Sequence, residues 1–124
     1  MANECTPLFR PGRDITGLTT AGVTGKTFVD VSATRGADGL IKVATAAAGA
    51  KAFGVAKYDA GSGALVGIAR GGILPVTAGG VIGYGAEVEV GTAGKAIALD
   101  EGKAVGKAVE AGTNGNDVLI AFYE

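Results

Sequence analysis

The chain has no histidine and no tryptophan, one cysteine, three prolines and only seven aromatic residues among its 124. Without histidine there is no side chain whose ordinary pKa lies near neutrality. Ser-His and Cys-His catalytic pairs and zinc sites of the Cys/His type are excluded with it. Cys5 stands alone, so no internal disulfide can form, which points to synthesis in a reducing cytoplasm. No apolar stretch approaches the roughly 20 residues that cross a bilayer. The opening Met-Ala-Asn-Glu-Cys lacks the basic and apolar regions of a secretory signal. The 11 basic and 12 acidic residues are interspersed, and no basic run exists to displace counterions from a nucleic-acid backbone. Tyr58, Tyr84 and Tyr123 are the only amphipathic aromatics, too few for a carbohydrate-binding platform.

What is abundant is small or β-branched. Alanine and glycine contribute 23 residues each, so the 48% hydrophobic content overstates the core. Leu, Ile, Val and Phe together number 31, enough for one modest domain but a thin one, so association with other chains is an expected source of stability. Val outnumbers Leu by 13 to 7. Branching at Cβ suits a pleated surface, and glycine at this density penalises helix interiors.

From Thr27 onward, short apolar segments alternate with turn signals. The expected strands are Thr27–Ser32, Leu40–Thr45, Ala52–Tyr58, Ala64–Arg70, Ile73–Val76, Ala86–Val90, Lys95–Leu99, Lys103–Glu110 and Asp117–Tyr123. Between them lie Gly- and Asn-containing turns at the spacing of a sandwich or barrel. Ala46–Ala52 has helical propensity but is short and broken by Gly49. Residues 51–69 align with 103–121 without a gap, with 8 identities in 19 positions. Two similar hairpins are expected, with Gly54 and Gly106 at equivalent bends.

Candidate chemistry is sparse. Gly25-Lys26-Thr27 ends like a phosphate-binding loop, but Thr20 stands where the motif needs its first glycine. Phe28-Val-Asp-Val31 then alternates like a strand, where phosphate binding needs a helix N-terminus. Gly79-Gly80-Val-Ile-Gly83-Tyr-Gly85 reads as a glycine-rich turn. Glu87 and Glu89 share one face of a strand, with Val88 and Val90 opposite, and are expected to be solvated. Cys5 reads as an incidental thiol. No catalytic, cofactor or metal residues are assigned.

Residues 1–26 differ from the rest. They hold Pro7 and Pro11, and their apolar residues Leu8, Phe9, Ile15 and Leu18 show no period. We divide the chain into an extended N-terminal arm, 1–26, and a body, 27–124. Leu8, Phe9 and Ile15 are candidate anchors, and Arg10 and Arg13 candidate forked donors, for a neighbouring protein. The alternatives are an arm that pairs with its own sheet edge and one that stays unstructured.

Several stretches carry a family resemblance. Thr6-Pro-Leu-Phe-Arg-Pro-Gly-Arg-Asp-Ile-Thr16 followed by Val23-Thr-Gly-Lys-Thr-Phe-Val-Asp-Val-Ser32 resembles the opening of the small decoration, or cement, proteins of tailed-bacteriophage heads. Lys51-Ala-Phe-Gly-Val-Ala-Lys57, Gly71-Gly-Ile-Leu-Pro-Val76, Ala104-Val-Gly-Lys-Ala-Val109 and Asp117-Val-Leu-Ile-Ala-Phe122 are similar to the same group. The resemblance implies an all-β fold, a small β-barrel or β-tulip-like domain with an extended N-terminal arm. It further implies homotrimers at three-fold positions on the exterior of an icosahedral shell, with the major capsid protein as partner. No cofactor, small-molecule substrate, nucleic acid or membrane enters. The alternative is a head-fibre or cell-surface, carbohydrate-binding β module.

Overall fold

The computed structural model describes residues 13–123, and these are almost wholly β. The strands are β1 Asp14–Thr19, β2 Phe28–Ala33, β3 Ile41–Thr45, β4 Gly54–Ala56, β5 Leu65–Ala69, β6 Ile73–Thr77, β7 Glu87–Val90, β8 Ala96–Ala98, β9 Gly106–Ala108 and β10 Asp117–Phe122. One 3-10 turn, Thr92–Gly94, is the only helical element among the described residues. Every segment expected from Thr27 onward contains a strand, though Ala52–Tyr58 and Lys103–Glu110 hold only three strand residues each, and Ala46–Ala52 forms no helix.

β1 to β5 close into a barrel in the order β1-β3-β2-β4-β5. β1 pairs antiparallel with β5, Ile15 opposite Ile68, and parallel with β3, Gly17 opposite Ile41. The stave that seals the barrel therefore comes from the segment assigned to the arm. The body begins at Asp14, not at Thr27. The reason β1 escapes a hydrophobicity reading is plain in its inward positions, Ile15, Gly17 and Thr19. Only one of the three carries a sizeable apolar side chain. Thr19 is satisfied inside by accepting the Ala64 N–H at 3.0 Å.

β6 to β10 form a five-stranded sheet whose order, β6-β10-β9-β7-β8, matches that of the first half but which its ladders leave open; for that correspondence it is termed the second barrel. The pairings match one for one. Ile15↔Ile68 corresponds to Leu74↔Ile120, Val31↔Val43 to Val90↔Ala96, and the bridge Val23↔Ala60 to Ile82↔Gly112. The repeat seen over 51–69 and 103–121 thus extends through the described chain. Gly54 and Gly106 are equivalent, each opening a strand. What each position demands is close approach: a Cβ on Gly54 would lie 2.6 Å from Ile68 Cγ2 and 2.7 Å from the Ala69 carbonyl. On Gly106 it would lie 2.5 Å from Ile120 Cγ2 and 2.7 Å from the Ala121 carbonyl. No register shift accompanies either residue, so neither is a bulge, and close packing demands glycine at both.

The halves differ at one seam. The parallel β1–β3 pairing shrinks in the second half to a single bridge, Ala78↔Ala96. Residues 26–28 of the first half fill the opening. The Thr77 N–H donates to the Lys26 carbonyl at 2.8 Å. Gly94 comes so near that a Cβ there would stand 2.9 Å from the Phe28 oxygen. Because strand side chains alternate, Val29 points into the first barrel while Phe28 points out of it. Phe28 joins the buried cluster of Val76, Val88, Val90, Val118 and Ile120, its ring 6.2 Å from that of Phe122. Val55, its cross-strand partner, enters the same cluster. The equivalent pair in the second half is Glu87↔Lys107, charged and exposed. Those charges end the array at two barrels, as polar outer faces cap other repeat proteins.

Two outcomes follow from this packing. Phe28→Ala should cost about 3–5 kcal/mol, the usual range for a buried phenylalanine. Urea unfolding should still show one transition, since the ring belongs to the shared core; two separated transitions would show the halves to be independent. Gly54→Ala and Gly106→Ala should each destabilise by about 1–3 kcal/mol through overpacking, and by similar amounts. A neutral result at either would contradict the close approach.

Candidate interaction surface

The polar groups of the body serve structure first. Among the described residues no group of His, Cys, Asp or Glu could hold a metal ion. Glu87 and Glu89 do not share a solvated face. Glu89 is only 5% exposed, and its Oε1 accepts the Asp100 N–H, holding the turn at 100–102. The reason is a segment the strand pattern could not reveal. The 46–50 loop of the first half lies over this edge, with the Gly49 N–H donating to the Val90 carbonyl at 2.8 Å and the Lys103 N–H to the Gly49 carbonyl at 3.1 Å. Glu87 is exposed and accepts the Tyr123 hydroxyl at 3.1 Å. Burial, then this bond to a carboxylate, raises the Tyr123 pKa above its ordinary value. At Gly25-Lys26-Thr27, Lys26 has a φ of 62° and leads straight into β2, so no helix N-terminus faces an anion.

Of the candidate partner residues, Leu8, Phe9 and Arg10 lie outside the described residues. Arg13 is exposed at the head of β1, and its carbonyl accepts the Arg70 N–H at 2.7 Å. Ile15 is not a partner anchor. It is 8% exposed and packs with Val29, Val66 and Ile68 inside the first barrel, because β1 pairs on both edges and turns it inward. Around Arg13 the surface is well ordered by contacts. Arg70 Nε donates to the Phe53 carbonyl at 2.9 Å, and its guanidinium sits 4.3 Å from the Phe53 ring centre. Asp14 pairs with Lys57 at 3.0 Å.

Next to this cluster, at the joint of the two barrels, is an apolar hollow of about 190 Å3. Val55, Ala56, Ala69, Leu74 and Pro75 line it with the stems of Lys26 and Lys57. Lys26 reaches Asp117 at 2.7 Å. The second barrel carries the opposite feature. In the turn before β7, Ile82 is buried while Val81 and Tyr84 project, 80% and 82% exposed. Sequence reasoning took this stretch for a simple turn. The signal lay in the repeat: Val23 and Ile82 correspond, so Gly22 and Gly25 stand where Val81 and Tyr84 do.

The fold and surface define an all-β protein of two corresponding halves, one a closed barrel and the other a five-stranded sheet, whose polar residues support turns and surface. Its sequence matches the phage cement protein family over residues 10–122, and the chain belongs to that family. The fold is similar to the crystal structure of the N base of head fibre gp8.5 of bacteriophage phi29. The TM-score is 0.75 and the identity 26%, covering 89% of this chain and 92% of that one. No curated protein matched.

The role of Glu89 can be checked directly. Glu89→Ala should lower stability by about 1.5–3 kcal/mol, the usual worth of a hydrogen bond to a charged group. It should also speed hydrogen exchange at the Asp100 amide; unchanged protection there would remove Glu89 as the clasp.

Proposed function

We propose that this protein decorates and stabilises the exterior of an icosahedral phage head, binding across neighbouring major capsid subunits as a homotrimer at three-fold positions. The observation that carries the reading is the family match over residues 10–122. The chemistry of the body agrees: its polar side chains hold turns and bridge strands, and in this reading the protein catalyses nothing and needs no cofactor. It is made in the host cytoplasm, in keeping with its lone cysteine. Contacts repeated by symmetry act together, so modest individual affinities hold an assembled shell.

In this reading residues 1–12 and the adjoining Arg13 are the contact segment, with Leu8 and Phe9 as apolar anchors and Arg10 and Arg13 as donors to carboxylates. A second reading, the base of a head fibre, is favoured by the likeness to the phi29 head-fibre base. Electron microscopy of particles with and without the protein separates the two. Density over three-fold positions, bridging capsid subunits, supports decoration; density only beneath projecting fibres supports the base.

Removal of residues 1–12 tests the contact segment without touching β1. The truncated protein should unfold at the same denaturant concentration as the full chain and lose binding to heads lacking it. Normal binding by the truncated protein would rule out the segment as the contact.

A further inference from the structure

We propose that Tyr84 of one copy seats in the apolar hollow at the barrel joint of a second copy, a head-to-tail contact between unlike surfaces. The inference rests on the trimer reading for the number of copies that close the ring.

Two opposite features on different barrels motivate it. Tyr84, with Val81, is a projecting apolar group in a protein whose other turns are mostly small and polar. The hollow has an apolar floor, Val55, Ala69, Leu74 and Pro75, with room for one aromatic ring. Its rim carries two exposed ion pairs, Lys26 with Asp117 and Lys57 with Asp14. A tyrosine suits such a site: its ring covers the apolar floor and its hydroxyl donates to a rim carboxylate.

Charge selects the second copy as the occupant. Residues 13–70 hold seven basic and four acidic side chains, whereas residues 71–123 hold three basic and six acidic. The two barrels thus carry net charges of opposite sign. Near Tyr84 in the chain the acidic side is represented by Glu87 in β7, and Glu110 lies two residues from Gly112, which bridges Ile82. Placing the second half of one copy over the joint of the next, on the side of its first barrel, brings regions of opposite net charge together. A like-on-like two-fold pairing through either barrel would oppose it. Contacts between unlike surfaces repeat around a ring when the rotation closes.

The test uses the full chain in solution. Sedimentation over a concentration series should show self-association that weakens as salt rises. Tyr84→Ser should weaken it at least tenfold, with an unchanged circular dichroism spectrum, since the residue is exposed. In a Cys5→Ser background, Tyr84→Cys protein mixed with Pro75→Cys protein should form a disulfide-linked heterodimer under mild oxidation. A wild-type trimer that Tyr84→Ser leaves intact would overturn this contact and leave the trimer standing. A protein that is monomeric at every concentration and on heads would overturn both. Loss of association on Phe9→Ser but not on Tyr84→Ser would give the hollow to the N-terminal segment and overturn the proposal.

Discussion

The structure depends on one side chain crossing between barrels. Phe28 leaves the first barrel through the outer face of β2 and completes the core of the second, where the seam between β6 and β8 has only one bridge. Neither half balances its own surface without it. The first would expose Phe28 and Val55; the second would open its core to water through the gap beside Ala78. The burial of a phenylalanine ring on this scale outweighs the exposed ion pairs that decorate the same joint, each worth about 0–1 kcal/mol. The ion pair of Lys26 with Asp117 therefore orients the joint more than it holds it.

Duplication explains the peculiar composition. Halves built of very short strands have narrow interiors, which Val, Ala and Ile largely fill, with Phe28 and Phe122 added in the second. Glycine is required where strands touch, as at Gly54 and Gly106. Once the plan exists twice, the copies are free to diverge at the surface. Phe28 and Val55 became the joint, and their counterparts Glu87 and Lys107 became solvated. Gly25 stayed small against the Tyr58 backbone, while its counterpart Tyr84 projects. The differences between the halves mark where each face is used.

Much of the fold was legible in the sequence because its signals are local. Nine strands were visible from β-branched runs set between glycine turns, and the 52-residue echo announced the repeat. β1 was not, because two of its three inward positions are Gly17 and Thr19. Its identity as a strand is settled by its partners β3 and β5, which are distant in sequence. The burial of Glu89 was hidden for the same reason: an alternating strand says which side chains share a face, but not that a loop from the other half will cover it. The family was readable from the stretches around residues 6–32, 51–57 and 104–122, whose matches span the whole body. The hollow and the projecting Tyr84 were not, since both arise from comparing two halves in space.

The way β1 is held has a mechanical meaning. It is bonded to β5 over residues 14–18 on one edge and to β3 over residues 17–19 on the other. A pull on the N-terminal segment directed along the strand would load both ladders in shear, so that the bonds of each share the load. A hairpin pulled at its open end gives way one bond at a time. Resistance to such loading is a matter of unfolding rate under force rather than of equilibrium stability. In the attachment proposed above, the lifetime of the body under such a load would be set by these two ladders.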